Sequence, residues 1–381
     1  QSATAFDEGL LPLLQDVLEA PQPPSLLPLA CEAISNLCVS EQGCLSVFLP
    51  VLRQQLALHA KDPALVQPLC HALAACIAQE GNTAFPVSSL LPEIRSIMSR
   101  HAHHKAVMAD SCWALATIVI FLHLSADPGW SPELTGDFLP LLLQAVDLHA
   151  QEPLVLEEVC RAIASIASHT HDQSPLVCTL PILKSCMLQC MAHPPVLIQA
   201  ACAISHIVAD TSTDVVLGQY DLVPVLQQVL LRHADQIEVV LRSCQALANL
   251  TANPFNDHSV QSLPFLHVLT QVLERHPTNT HALASVYQAL GNIAACSGSD
   301  VATHPEAVLP LLKQAILTHP GDAELMRSAC QTLANVASSH GNGMAVIKHG
   351  FLALLKKVME RHSGDKSVME VACEALESIQ L

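Results

Sequence analysis

An Ala followed by Leu or Ile returns at a nearly fixed interval along this 381-residue chain. It stands at Ala33, Ala72, Ala114, Ala162, Ala203, Ala246, Ala289 and Ala375, with Thr332 in its place once, and the successive spacings are 39, 42, 48, 41, 43, 43, 43 and 43. Two residues before this anchor comes Cys31, Cys70, Cys112, Cys160, Cys244, Cys330 or Cys373; only Ala201 and Tyr287 break the series. Thirteen residues before it comes His59, His101, His149, His233, His276, His319 or His362, with Cys190 in the fifth copy. Twenty-two before it stands Pro50, Pro92, Pro140, Pro181, Pro224 or Pro310, and Pro12 sits one residue nearer in the first copy. Three columns held in register over nine copies define a repeat of about 43 residues. A unit of that size is one supersecondary element whose apolar face is covered only by stacking on its neighbours.

Each unit reads as two long helices. The first, such as 139–148, carries Pro in its opening turn, where the missing N–H costs nothing, and then shows helical apolar spacing up to the column His. The other contains the Cys-x-Ala-Leu core. Apolar residues are 51 % of the chain while aromatics are 3 % and Gly only 13 residues, which suits a helical stack better than a β-sandwich. Short connectors between units sometimes read as a brief helix of their own, most clearly at 344–350 and, as an echo, at 4–9. The spacing of 48 marks an inserted surface loop, 123–137, containing Pro128-Gly129-Trp130-Ser131-Pro132. An exposed Trp130 there is a candidate anchor for a partner.

The segments Ala329-Cys330-Gln331-Thr332-Leu333-Ala334-Asn335-Val336-Ala337 and Ser243-Cys244-Gln245-Ala246-Leu247-Ala248-Asn249-Leu250 resemble the last helix of armadillo repeats. The resemblance spans the chain; copies two to five are looser and HEAT-like. It implies an all-α, right-handed solenoid of about nine repeats, a single domain over 1–381, with the short, second and third helices of each unit in that order. The third helices would line a concave face. On that face the resemblance implies that an Asn three residues after the anchor holds the backbone of an extended peptide, since an amide offers a donor and an acceptor at once. Asn36, Asn249, Asn292 and Asn335 occupy that column, and Gln245, Gln288 and Gln331 stand one turn earlier on the same face. Trp113 is a further candidate contact. It faces Thr117 rather than Asn, so the importin-α pairing is absent, as is the Lys-rich groove of the catenins. The start at Gln and the apolar end at Leu381 suggest a piece of a longer polypeptide.

Other chemistries find little support. A net charge of −17 argues against general nucleic-acid binding, which needs a surplus of Lys and Arg. Mean hydropathy is high, at +0.38, but the longest apolar run, 113–122, stops at His123, short of the roughly 20 residues of a span. The 15 Cys follow the repeat rather than a disulfide framework, so the column thiols are expected to be buried and reduced. The column His lie one per unit, where an imidazole can meet the last carbonyls of its own helix, and no metal, cofactor or catalytic motif is expected. Ten of the 17 basic residues fall on second helices, read as a solvated face, while third helices carry carboxylates such as Glu32, Asp110, Glu157 and Glu158. The expected function is therefore a non-enzymatic scaffold that holds a protein or peptide segment, neutral or basic, along the third helices. An assembly or intramolecular docking module of a larger kinase-like, ciliary or cytoskeletal protein is the alternative, and an enzyme a remote one. The expected setting is cytoplasmic, with nuclear or ciliary sites as variants.

Overall fold

A computed structural model describes residues 2–19, 26–40, 45–79, 85–125, 136–170, 172–209, 219–253, 256–296, 298–339 and 341–380. Among these the chain is all-α, with no strand. Two compact units divide it, Gln1–Ile182 and Leu183–Leu381. The first holds α1 (Ser2–Glu19), α2 (Leu26–Ser40), α3 (Leu49–Leu58), α4 (Pro63–Gln79), α5 (Leu91–Arg100), α6 (Lys105–Ser125), α7 (Leu139–Leu148) and α8 (Pro153–His169), and the division falls inside α9 (Leu180–Gln189). The second holds α10 (Pro194–Ile207), α11 (Val223–Arg232), α12 (Ile237–Thr251), α13 (Asp257–Gln261), α14 (Phe265–Arg275), α15 (Thr280–Ala295) and α16 (Asp300–Thr303). It continues with α17 (Pro305–Thr318), α18 (Ala323–Ser338), α19 (Gly343–Lys348), α20 (Phe351–Arg361) and α21 (Lys366–Gln380). Third helices stack in chain order within each unit: α2, α4, α6 and α8 in the first, α10, α12, α15, α18 and α21 in the second.

The repeat columns explain the helix boundaries. Pro50, Pro92, Pro140 and Pro224 open α3, α5, α7 and α11 at the first or second position. Pro310 and Pro12 differ, lying inside α17 and α1, because those helices begin earlier and absorb the connector. Second helices end at the column His, whose carbonyl then accepts from the amide three residues on, as Asp62 N to His59 O and Glu152 N to His149 O. Connectors differ between the units. In the first, 3₁₀ turns at Leu45–Phe48, Val87–Leu90 and Ser174–Thr179 lead straight into second helices. In the second, true short helices form, α13, α16 and α19. Gly350 (φ +79) makes the left-handed turn from α19 into α20, and Asp221 (φ +49) takes the same column position before α11, a conformation Asp tolerates better than most residues. The polar stretch 298–304 contains α16, capped by the Ser299 side chain accepting from Ala302 N.

Small anchors let third helices approach closely. Ala72, Ala114, Ala162, Ala203, Ala246, Ala289, Thr332 and Ala375 are fully buried, and at Gly291 an added Cβ would lie 3.1 Å from the Thr332 Cα. Six of the seven column Cys are buried as expected. Burial pushes the thiols of Cys31, Cys244 and Cys330 up to about 12, which keeps them protonated and unreactive. Cys373 corrects the series: it is exposed, on a side of α21 that no described helix covers. Helix α6 corrects another expectation. It runs 21 residues, beyond the apolar run on both sides, and is long and apolar enough to cross a membrane. Here it packs between α4 and α8, with 61 % of its most apolar stretch buried, so a core position accounts for its composition.

Two side-chain ladders tie most neighbouring repeats within each unit. The column His does not cap its own helix. Its Nε2 donates instead to the carbonyl that follows the column His, or Cys190, of the preceding repeat: His101 to Ala60 O (2.9 Å) and His149 to Ala102 O (2.7 Å) in the first unit. In the second unit His233 reaches Met191 O, His276 reaches Ala234 O, His319 reaches Pro277 O and His362 reaches Pro320 O, at 2.7–2.9 Å. The other ladder runs forward from three residues after the column Pro. Arg53 donates to Glu93 and Ser89, Arg95 to Asp137, Lys184 to Tyr220 O, Gln227 to Pro264 O and Lys313 to His349 O. Four of the basic residues read as a solvated face are thus inter-repeat ties. Replacing His276 by Ala removes one such bond, and a loss of about 1 kcal/mol is expected. Thermal melts of His276→Ala should fall by a few degrees, whereas His103→Ala, at an exposed residue outside the column, should melt like the parent.

Candidate interaction faces

The Asn column is a third ladder, on the opposite helices. Asn249 Nδ2 donates to Ser205 O (2.9 Å), Asn292 Nδ2 to Ala248 O (2.7 Å) and Asn335 Nδ2 to Gly291 O (2.9 Å), each two residues past the preceding anchor. Ala248 O already accepts a main-chain bond from Ala252 N, so its second lone pair takes the Asn292 amide. All three Asn remain half-exposed. Each side chain therefore fixes its own orientation through Nδ2, and Asn249 Nδ2 also reaches Ser205 Oγ at 3.2 Å.

Gln245, Asn249 and Gln288 come together. With Cys202, Ser205, His206 and Arg242 they line a shallow groove of about 280 Å³ over α10, α12 and α15. Gln288 is exposed and Gln245 half-exposed. Arg242 contacts Gln245 Oε1 at 3.3 Å and has no carboxylate partner among the described residues. The sequence reading did not single out Arg242 or Ser205, while His206 holds the Asn-column position of its copy; for Arg242 the signal lay in the turn before the anchor Ala246, where residues one and four positions upstream share a face. Gln331 donates to Glu374 Oε1 (3.2 Å) on the next helix, so it lies apart from that groove.

The candidates of the first unit sit differently. Asn36 is exposed on α2, one of the outermost helices described there. Trp113 is half-exposed on α6, and its ring rests against His71 of α4, centroids 4.8 Å apart and planes at 53°. Thr117, the residue in its Asn column, is occupied locally, donating to the Trp113 and Ala114 carbonyls. Trp130 and most of the inserted loop lie outside the described residues. Of the neighbouring His101, His103 and His104, the rings of His101 and His104 meet edge to face with centroids 5.8 Å apart, while His101 is buried on its ladder bond and His103 is exposed. Among the described residues no three or more His, Cys, Asp or Glu are placed to hold a metal ion.

No known protein family matches the sequence, and no curated protein matches it. Solved structures do resemble it. One comes from work on the interaction between cadherin and beta-catenin and the phosphorylation switch that controls it; it aligns over 99 % of this chain and 76 % of its own, with a TM-score of 0.75 at 15 % identity. Another is an engineered protein, aligned over 61 % of this chain and 93 % of its own, with a TM-score of 0.51 at 23 % identity. At these identities the likeness shows the fold: an armadillo-like helical-repeat solenoid.

The Asn ladder has a measurable consequence for stability. Each Asn→Ala change at 249, 292 and 335 removes a tie to a main-chain carbonyl of the preceding repeat, and a loss of about 0.5–1 kcal/mol each is expected. The sites are a repeat apart and share no partner, so the losses should nearly add. A triple variant should keep the parent's far-UV helix signal and unfold at a clearly lower denaturant concentration. An unchanged midpoint would mean the three bonds contribute nothing.

Proposed function

We propose that this chain is a protein-interaction module that holds an extended polypeptide segment on the third-helix face of its second unit. The observation that carries this reading is the amide-lined groove over α10, α12 and α15, in which Asn249, Gln245 and Gln288 present amide groups at the surface of successive helices. A peptide backbone has alternating N–H and C=O groups but no fixed charge, and an amide can meet either. Asn249 is held in place by its ladder bond, so less side-chain entropy is lost when it engages a ligand. Arg242, without a carboxylate partner among the described residues, disfavours a basic side chain directly above it. The preference for a basic partner inferred from the overall acidity therefore does not extend to this groove, which suits a neutral or acidic residue. The similarity to a structure from the cadherin and beta-catenin interaction is compatible with such a use of the fold.

Selection from a random twelve-residue peptide library displayed on phage supplies a ligand for the test. Gln245→Ala with Gln288→Ala should weaken the selected peptide by roughly ten-fold or more, at about 1 kcal/mol per lost bond, and leave the melt unchanged. The proposal is sunk if the library yields no binder, or if every binder tolerates the double change.

A further inference from the structure

The first unit carries a different arrangement, one that combines an aromatic face with half-shielded carboxylates. Consecutive third helices α4, α6 and α8 bring His71, Trp113 and Asp110, and the trio Glu157, Glu158 and Arg161, onto the same face. His71 Nδ1 lies 3.0 Å from Asp110 Oδ1, and Gln67 Nε2 donates to Oδ2 of the same carboxylate. Arg161 bonds both acids of α8, Nη2 to Glu157 Oε1 at 2.6 Å and Nε to Glu158 Oε2 at 2.9 Å. The carboxylate side chains of Asp110, Glu157 and Glu158 are only 16 %, 19 % and 19 % exposed, so water screens them poorly and their charge acts more strongly on a cation nearby.

We propose that Trp113, Asp110, Glu157 and Glu158 form a docking site for one Arg or Lys side chain of a partner polypeptide, and that His71 is its built-in competitor. Three carboxylates face a single permanent cation, Arg161, leaving negative charge beside an indole face that itself attracts cations. Glu32, exposed at the equivalent position of α2, adds to the same sign. Helix α3, which also packs on α4, supplies none of these groups. A basic side chain is the occupant that suits both the ring and the excess negative charge; an aliphatic one would meet only the ring. This site stands whether or not the groove of the second unit binds a peptide.

His71 occupies the place such a cation would take. Protonated, it is a cation against the Trp113 ring and an ion-pair partner of Asp110. The hydrogen bond to Asp110 raises its pKa above the ordinary value, burial opposes this, and the charges of Asp110 and Glu158 raise it further. The sign follows from that direction. A His with a raised folded-state pKa is charged, and its pairing with Asp110 stabilises, at low pH; both are lost as pH rises through the folded value. The patch then becomes more negative and an outside cation binds better. Glu158 works the same way, since burial raises its carboxyl pKa and acid removes its charge.

The test uses the full chain with Trp130→Phe, so that Trp113 is the remaining indole, and two capped glycine pentapeptides with a central Arg or a central Glu. Titrations followed by Trp113 fluorescence at about pH 5.5 and about pH 8 bracket the histidine range. The Arg peptide should bind at least several-fold more tightly at the higher pH, and the Glu peptide should not bind. His71→Gln should remove most of the pH dependence by strengthening the acid-side binding, while Asp110→Asn should weaken binding at the higher pH. Circular dichroism of both variants, and Trp113→Phe read by calorimetry, separate these effects from misfolding. Equal binding of the two peptides, no binding of the Arg peptide, or an undiminished pH dependence in a folded His71→Gln would each overturn the proposal.

Discussion

Side-chain donors seeking main-chain carbonyls across the joint between repeats hold this molecule in register. A helical carbonyl has two lone pairs and spends one on its own helix, so the second is available to a neighbour's Asn, and the free carbonyl beyond a second helix is available to a neighbour's His. These acceptors belong to the backbone and are present whatever the side chain. That is why Ala60, Ala102, Met191, Ala234, Pro277 and Pro320 can all serve the same purpose. Apolar packing between third helices supplies most of the driving force, but it is non-directional; the ladders set how far one helix may slide along the next.

The fold was legible because its causes recur. Proline, histidine, cysteine and alanine columns each mark a boundary or a close approach, and nine copies make the columns visible. What could not be read was the far partner of each polar side chain. The His column looked like an end cap for its own helix, since the sequence places it at that end; only the stacking shows that the nearer free carbonyl belongs to the preceding unit. The forward ladder was hidden for another reason. Arg53, Arg95, Lys184, Gln227 and Lys313 differ in charge and type, and share only length and a donor at the tip, so they resemble ordinary surface residues. Cys373 shows the converse limit: a column residue is buried by the next helix, and the column alone does not say whether one is there.

The candidate sites were legible in position and not in environment. The Asn column fell where a third helix presents it, yet the sequence could not tell that Nδ2 is already committed to the preceding repeat. Nor could it tell that Trp113 would meet His71, 42 residues away, or that Asp110 would be the hinge of their charge balance. The two units consequently offer unlike surfaces from one template: amides and a guanidinium in the second, an aromatic ring among acids in the first. A repeat fold fixes which positions are presented and leaves their chemistry open.

The ladders also bear on how such a chain can change length. Most repeats carry both a plug and a socket: a His or Asn that reaches backward, and a backbone carbonyl that receives the next one. Both lie within the same stretch of about 43 residues, so copying such a repeat whole gives its new joints both partners. Cutting within a unit would separate donor from acceptor on both sides. Whole-unit duplication is thus the route of growth that this architecture makes easy, and the nearly constant spacing of the last five anchors is the trace such a history would leave.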